Sequence, residues 1–400
     1  MSRETFPHLE ALREEMRRLN VDAVIIPGTD PHQSEYICDH WKFRDWICGF
    51  TGSNGTAVVT LDQAALWTDS RYFLQAGIEL EDSGFVMMKE NMGNDPTIHE
   101  WLQQVLDEDS VIAIDGRLYS AQDANQLERF CGENGFMLAT EFYPADSIWT
   151  DRPARPGEPA YVHDVQYAGE EASAKIDRLI EVLDNNDATA MLVTSLDDIA
   201  WLLNLRGGDV AFTPVVIAYA YISASNKELF IDESKVTDEV RQHLKECGVR
   251  VRNYDDIAHF LERVSEHEVV LIDPNRVSDT LANALQCQKV YFRSPITDLK
   301  CIKNEVQIEG FRHAMERDGA ALVRLFKWIE ETAPSGTVNE VDVWNKGMEY
   351  RARQELYRED SFAMICGYKE HGAIVHYEAT PETDVSLQPR GLLLIDSGAQ

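Results

Sequence analysis

Residues 23–30 read AVIIPGTD and residues 190–197 read AMLVTSLD, so a short apolar run with an aspartate four residues after it occurs twice without a gap. Each copy follows a segment with the apolar spacing of an amphipathic helix, at residues 9–19 and 172–183. A helix that leads into a short apolar strand is a building unit of α/β sheets. The repetition therefore predicts two domains of similar fold.

Two further pairs of segments follow the first pair in the same order. LWTD at 66–69 is matched by LFID at 229–232, and VIAID at 111–115 is matched by VVLID at 269–273. Three ordered matches favour a duplicated α/β domain, with mixed sheets covered by helices. The connection between the copies is predicted at residues 151–159, where three prolines and a glycine oppose a continuous helix or a central strand.

A third region begins near Lys300 and opens with a long helical pattern. Apolar spacing predicts this helix up to Ile329 and, after the Pro-Ser-Gly breaker at 334–336, a second helix from about Asn339 to Leu356. Strands are predicted after it near residues 362–365, 373–376 and 392–395. This order indicates helices followed by an antiparallel-looking sheet.

Composition and charge exclude several classes of protein. The 400 residues suit two or three domains, and no run approaches the roughly 20 apolar residues of a membrane span. The first residues lack the apolar core of a secretion signal. The 37 Lys and Arg against 69 Asp and Glu give a formal net charge of −32, which would repel nucleic acids and acidic membranes. We expect a soluble cytoplasmic protein without a nucleic-acid or membrane partner.

The seven cysteines are scattered without CxxC pairs. Their odd number leaves at least one free thiol in the chain and favours a reducing compartment. A zinc site could be drawn from His32, Cys38, His40 and Cys48, but the spacing fits no standard zinc finger. Ordinary buried thiols are the favoured interpretation.

The glycine-rich segment at residues 49–56, GFTGSNGT, raises the possibility of a phosphate-binding loop. It lacks both the Lys-Ser/Thr ending of a P-loop and the GxGxxG spacing. A tight turn between two strands is the favoured prediction.

Two polar residues of the third region stand in apolar surroundings. Asp396 follows the apolar run 392–395, and His376 follows the apolar run 373–375. The first run predicts a strand that places the carboxylate of Asp396 in a buried site. A buried isolated carboxylate is costly unless it is protonated, hydrogen-bonded or bound to a cation. The pair suggests a hydrolytic metal site. Locally, however, such residues are more often a turn or capping aspartate and a satisfied core histidine.

The motifs of the chain, taken together, resemble those of the pita-bread metallopeptidases, most closely the long, three-domain Xaa-Pro aminopeptidases (aminopeptidase P). The segments that carry the resemblance lie, in the order of the family, at residues 30–36, 49–56, 67–75, 148–153, 198–207, 372–377, 381–383 and 393–400. The resemblance implies an α/β fold class with two similar creatinase-like domains, residues 1–150 and 160–298. These would be followed by the first part of a pita-bread α+β domain at 300–400.

The resemblance also implies the roles of three residues. Asp396 corresponds to one of five ligands that hold two divalent ions, for which carboxylates and one imidazole favour Mn²⁺. His376 corresponds to a histidine outside the metal shell that contacts the peptide near the scissile bond and helps to stabilise the intermediate or relay protons. Arg71 corresponds to an arginine that contacts peptide substrate, in another subunit's active site or at the shared mouth of the cleft. His371 receives no such support, and we expect it to be solvated.

The function implied by the resemblance is removal of the N-terminal residue from peptides with proline in second position, by a homodimer. Since one carboxylate cannot hold two ions, we expect the chain to be a fragment of a longer enzyme and to lack peptidase activity alone. The alternative is a non-catalytic pita-bread module that binds peptides or histones. A prolidase or a creatinase-like hydrolase fits the duplicated front half less well.

Overall fold

The first domain is built on a six-stranded mixed sheet. The computed structural model describes residues 5–400, with side chains from residue 7 onward. The strands are β1 (Ala23–Pro27), β2 (Thr56–Thr60), β3 (Ala64–Thr68), β4 (Val86–Lys89), β5 (Val111–Ala113) and β6 (Met137–Ala139). The helices are α1 (Thr5–Leu19), α2 (Phe43–Cys48), α3 (Phe73–Glu79), α4 (Ile98–Val105), α5 (Ala121–Asn134) and α6 (Pro144–Ile148). The sheet has the order β4-β3-β2-β1-β5-β6, with β1 antiparallel to β2 and parallel to β5.

The second domain repeats this sheet. Its strands are β7 (Tyr161–Val162), β8 (Ala190–Val193), β9 (Leu205–Arg206), β10 (Ala218–Ser223), β11 (Lys227–Ile231), β12 (Arg250–Arg252), β13 (Val269–Ile272) and β14 (Gln288–Tyr291). Its helices are α7 (Val165–Ala168), α8 (Ala172–Asp184), α9 (Leu196–Leu202), α10 (Asp238–Glu246), α11 (Ile257–Leu261), α12 (Asp279–Ala284) and α13 (Pro295–Cys301). The main sheet has the order β12-β11-β10-β8-β13-β14, and β7 pairs with β9 separately.

The predicted duplication is confirmed strand by strand. The three pairs of matched segments form β1 and β8, β3 and β11, and β5 and β13, and the members of each pair occupy the same position in their sheets. In both sheets the central strand is antiparallel to one neighbour and parallel to the other. The short apolar runs therefore predicted the strands and the duplication, and the structure adds the order of the strands in each sheet.

Both faces of the first sheet are covered by helices. Successive residues of a strand point to opposite faces. Ile26 of β1 accordingly lies in a buried cluster with Leu12 of α1, whereas Ile25 lies in another cluster with Trp101 of α4. A strand that is buried on both sides has no polar alternation, which explains why its sequence is apolar throughout.

The glycine-rich segment joins α2 to β2. The prediction that it joins two strands is therefore wrong. Gly49 ends α2 with a left-handed backbone, at a φ of 79°. The buried guanidinium of Arg44 donates to the carbonyl oxygen of Gly55 at 3.1 Å and holds the segment against α2. The correction arises because a left-handed glycine is a common helix end, which the sequence pattern does not distinguish from a hairpin turn.

The two sheet domains share a buried core. Leu118 and Ala121 of the first domain lie in one cluster with Val277 and Leu281 of the second domain. A backbone bridge pairs Ser120 with Ser278. The two domains are therefore joined by core packing and by backbone hydrogen bonds.

A buried histidine lies between these two domains. Nδ1 of His32 is 2.8 Å from the carbonyl oxygen of Thr194 and Nε2 is 2.9 Å from the hydroxyl of Tyr254. Since a carbonyl oxygen only accepts, Nδ1 carries the proton and the neutral ring accepts from Tyr254 through Nε2. Burial lowers the pKa of His32. His32 thus stays neutral in the folded chain, whereas in the unfolded chain it binds a proton below about pH 6.5.

This histidine predicts a loss of stability as the pH falls through about 6.5. Between the lowered folded-state pKa and about 6.5 the unfolded state binds more protons, so the free energy of unfolding falls by up to about 1.4 kcal/mol per pH unit. Urea unfolding between pH 7.5 and 5.5 measures this slope. His32→Gln should flatten it, whereas replacement of the exposed His267 by Gln should leave it unchanged. Equal slopes for the wild type and His32→Gln would contradict the prediction.

The third region contains two helices and a two-stranded sheet. These are α14 (Glu305–Thr332), α15 (Glu340–Ala352), β15 (Ile365–Tyr368) and β16 (Leu393–Asp396), with β15 antiparallel to β16. Residues 303–400 form a compact unit with two short segments, 166–169 and 211–214, while the two sheet domains form another. None of the helices that the structure describes is long and apolar enough to cross a membrane.

The strand predicted near residues 373–376 is wrong. A 3-10 helix at Lys369–Ala373 is followed by a turn, in which His376 has a left-handed backbone with a φ of 57°. The apolar, β-branched residues of this stretch favour a strand locally. Tertiary contacts of the neighbouring polar residues, described below, hold the turn instead.

Candidate active site

Asp396 is the last residue of β16 and is exposed, which corrects the prediction of a buried carboxylate. Side chains alternate along the strand, so Leu393 and Ile395 pack against the core of the unit while Leu394 and Asp396 face away from it. The sequence pattern misled because the apolar run suggests burial on both faces. In the described chain, only one face of β16 is covered.

The residue after Asp396 is held by a buried arginine. Nη2 of Arg351, near the end of α15, donates to the hydroxyl of Ser397 at 3.0 Å. The same guanidinium binds Asp318 of α14, with Nε 2.7 Å from Oδ1. Arg351 thereby connects two helices to the end of the strand that carries Asp396. Arg351 and Ser397 also line a cavity of about 290 Å³.

His376 lies in the turn after the 3-10 helix and its side chain is exposed. A left-handed backbone is uncommon for a residue other than glycine and persists where the surroundings hold it. The neighbouring Tyr377 is buried and its hydroxyl donates to Oε2 of Glu340 at 3.0 Å. Burial raises the pKa of Tyr377 to about 12, so the phenol stays protonated and remains a donor at neutral pH. The exposed imidazole therefore stands beside a fixed neighbour.

His371 is not solvated, contrary to our prediction. Its Nδ1 lies 3.0 Å from both carboxylate oxygens of Glu340, and its ring packs on that of Tyr377 with 4.4 Å between centroids. No local pattern indicates this contact, because Glu340 and His371 are 31 residues apart.

Glu340 is one of two charged residues of this unit, with Arg351, that were not predicted from the sequence. It is the first residue of α15 after the capping Asn339, and it is fully buried. In sequence, an acidic residue in the first turn of a helix is explained by the helix dipole alone. In the structure, its carboxylate also accepts from the backbone N–H of Tyr368 at 2.6 Å. It thus receives hydrogen bonds from three residues of the segment that bears His376.

Arg71 lies in the first domain and is half-exposed. Its Nε and Nη2 form a fork on Asp69, at 2.9 and 2.7 Å. Asn54 of the glycine-rich segment donates to the same carboxylate at 2.6 Å. The hydrogen bonds from Arg71, together with its charge and the bond from Asn54, lower the pKa of Asp69 to about 2. The fork on Asp69 uses Nε and Nη2, which leaves Nη1 outside it.

The described residues do not form a complete metal site. They hold no group of three or more His, Cys, Asp or Glu side chains placed to bind a metal ion. Asp396 supplies a single carboxylate, which can serve as one metal ligand but cannot hold a metal ion alone. The alternative zinc site fails as well, because both ring nitrogens of His32 are used in hydrogen bonds. All seven cysteines are free thiols.

Family models match the chain from end to end. Residues 8–147 and 151–307 each match the creatinase/prolidase N-terminal domain, and residues 309–400 match metallopeptidase family M24. Two creatinase/prolidase N-terminal domains are thus followed by a unit of metallopeptidase family M24.

Relatives with the same arrangement are similar over the whole chain. Aminopeptidase P2 of Arabidopsis thaliana is 36% identical over 96% of this chain and 59% of its own length. A "probable Xaa-Pro aminopeptidase P" of Sordaria macrospora is 38% identical over 100% of this chain and 68% of its own length. The chain therefore spans about three-fifths to two-thirds of these relatives, and it belongs to the Xaa-Pro aminopeptidase P family.

A solved structure agrees with this assignment. The X-prolyl aminopeptidase of Caenorhabditis elegans, described as a cytosolic enzyme with a di-nuclear active site, superposes with a TM-score of 0.94 at 29% identity. The match covers 99% of this chain and 67% of the nematode chain. The fold class predicted from the sequence is thereby confirmed.

Proposed function

We propose that this chain is part of a metal-dependent aminopeptidase that releases the N-terminal residue from peptides with proline in second position. The observation that carries the proposal is the presence, in one M24 unit behind two creatinase-type domains, of the His376 turn and the strand that ends at Asp396. An Xaa-Pro bond is a tertiary amide of restricted geometry, so a pocket shaped for the proline ring gives specificity. The names of the relatives favour this function over a non-catalytic binding module.

Asp396 is proposed as one ligand of a centre of two divalent ions. The di-nuclear site of the nematode relative supports two ions, and the predominance of carboxylate ligands in the proposed set favours Mn²⁺. Such ions, when bound, supply an activated water and a Lewis acid for the peptide carbonyl. The contribution of this chain is one exposed carboxylate whose backbone is fixed through Ser397 and Arg351.

His376 is proposed to contact the bound peptide near the scissile bond. Its side chain is exposed on a turn whose next residue, Tyr377, is bound to Glu340, so the imidazole lies at the surface of the unit, where a peptide can reach it. A preorganised hydrogen-bonding group contributes where charge develops during the reaction. We propose further that the protein is a cytoplasmic homodimer, consistent with its free thiols and with its cytosolic relative.

The function is tested by assaying two purified proteins, the 400-residue chain and the protein expressed from the complete gene. With Mn²⁺, the complete gene product is expected to cleave an Arg-Pro-Pro peptide and to leave the matched Arg-Ala-Ala peptide intact. The 400-residue chain is expected to cleave neither. Absence of Xaa-Pro cleavage by the metal-loaded complete product, or turnover by the repurified 400-residue chain, would contradict the proposal.

Arg71 is proposed to bind peptide substrate through the nitrogen that Asp69 leaves open. Arg71→Lys keeps the charge but removes the fork that orients the guanidinium. We expect KM for an Xaa-Pro peptide to rise about 10-fold, the loss of one charge-assisted hydrogen bond of about 1.5 kcal/mol, with little change in kcat. Steady-state kinetics on the complete gene product measure both.

The control for Arg71 is Arg18→Lys in the same domain. Arg18 forms an equivalent exposed fork, on Glu15, with Nε and Nη2 at 2.7 and 2.8 Å from the carboxylate. Arg18→Lys should leave KM within about 2-fold of the wild-type value, since surface ion pairs of this kind contribute little. Equal KM values for Arg71→Lys and the wild type would exclude a substrate contact.

A further inference from the structure

The M24 unit contains a buried carboxylate whose partners all come from one short segment. Glu340 accepts from the backbone N–H of Tyr368, from Nδ1 of His371 and from the hydroxyl of Tyr377. These three donors span ten residues and enclose the 3-10 helix and the start of the turn of His376. A buried carboxylate that accepts three hydrogen bonds is tolerated in a core, because the carboxylate and its three donors are then all hydrogen-bonded.

The helix that carries Glu340 is a firm support. α15 begins with a capping box, in which Asn339 and Asp342 exchange hydrogen bonds. Val343, one turn further, is fully buried with Leu325 of α14 in the core of the unit. The carboxylate therefore has a fixed position, and the segment that binds it takes its position from α15.

The same segment is confined on its other side by β15. A Cβ atom added to Gly367 would lie 2.8 Å from the carbonyl carbon of His371 and 2.8 Å from the nitrogen of Gly372. Such contacts are closer than packed atoms approach, so only glycine allows the segment to cross the strand here. The turn is thus held between α15 and β15.

We propose that Glu340 is a positioning residue for His376. By binding His371 and Tyr377, it fixes the two sides of the turn and holds His376 in its left-handed conformation, with the imidazole exposed toward substrate. The inference rests on the proposed role of His376 in peptide hydrolysis. It adds a residue that acts on the reaction through His376, without contact to the substrate.

A carboxylate is required for this arrangement because all three partners are donors. Glutamine is similar in size, but its NH2 group would face the Nδ1–H donor of His371, which lies 3.0 Å from both carboxylate oxygens. Glu340→Gln should therefore release at least one partner and loosen the turn while the helix remains. An apolar residue would leave all three donors without an acceptor.

The test is Glu340→Gln in the complete gene product, with Glu305→Gln as the matched control. Glu305 also follows a capping asparagine as the first residue of a helix, but it is exposed. We expect Glu340→Gln to lower kcat about 10- to 100-fold with KM within about 3-fold, the usual effect of a residue that orients a site residue. Glu305→Gln should change neither constant more than 2-fold.

A double substitution separates positioning from general damage. If Glu340 acts through His376, Glu340→Gln combined with His376→Asn should be no slower than His376→Asn alone. Multiplication of the two losses would overturn the proposal. Should Glu340→Gln fail to fold, Tyr377→Phe removes one donor with little loss of packing, and it must show the same non-additivity with His376→Asn.

A structural readout keeps the inference independent of the proposed function. In ¹⁵N-histidine-labelled protein, the ring resonances of His376, assigned by their absence in His376→Asn, should shift in Glu340→Gln and stay in place in Glu305→Gln. A shift without any Xaa-Pro hydrolysis by the wild type would refute the function and support the positioning. Unshifted resonances in Glu340→Gln would refute the positioning whatever the activity.

Discussion

Replacement of His376 by asparagine is expected to lower kcat for Xaa-Pro peptides about 10²- to 10⁴-fold, the usual contribution of a positioned proton-transferring or hydrogen-bonding side chain. Asparagine is chosen because it tolerates the left-handed backbone that His376 adopts, at a φ of 57°. The imidazole is exposed, so the unfolding temperature should change little. Kinetics and thermal unfolding of the same preparation measure both effects.

The control for this substitution is His313→Asn. His313 lies on α14 with its side chain 56% exposed, paired with Glu309 on the same helix. Its replacement should leave kcat within about 2-fold. A kcat of the His376 variant equal to that of the wild type would remove His376 from the mechanism.

Replacement of Asp396 by asparagine is expected to abolish tight binding of at least one metal ion. The amide carries no charge and is a weak ligand for a hard divalent ion. Because metal ions supply several kcal/mol of transition-state stabilisation, kcat/KM should fall by about 10³-fold. The measurements are metal content after dialysis and activity at saturating Mn²⁺. Without metal, Asp396→Asn should unfold at the same temperature as the wild type, because Asp396 is exposed.

The matched control is Glu330→Gln, which removes one exposed carboxylate from α14. It changes the net charge by the same amount, so any general effect of charge on metal uptake appears in both variants. Full metal content and activity in Asp396→Asn would contradict its role as a ligand.

The architecture of the first two domains could be predicted because its signal is local and repeated. An apolar strand after an amphipathic helix is visible within about twenty residues, and three ordered repeats fix the equivalence of β1 with β8, β3 with β11 and β5 with β13. The helices α14 and α15 were predicted for the same reason, although α15 ends at Ala352, before the predicted Leu356. The predicted site roles of Asp396, His376 and Arg71 stay proposals.

The turn of His376 could not be predicted because its cause is distant in sequence. The stretch before it has the β-branched residues of a strand, but Glu340, 31 residues before His371, pulls the segment into a turn. The exposure of Asp396 was missed for a related reason, since an apolar run does not reveal that only one face of β16 is covered. Arg351 and Glu340 were missed because a charged residue in a helix is usually on the surface.

Glu340 and Arg351 stand near opposite ends of α15, eleven positions apart, which corresponds to about 16 Å along the axis. The helix α15 therefore sets the spacing between the turn of His376 and β16, which ends at Asp396. Unfolding of this one helix would release both at once, even if the sheets of the first two domains stayed folded. A substitution that destabilises α15 should therefore disturb the histidine turn and the end of the aspartate strand together, which amide exchange of both segments would show.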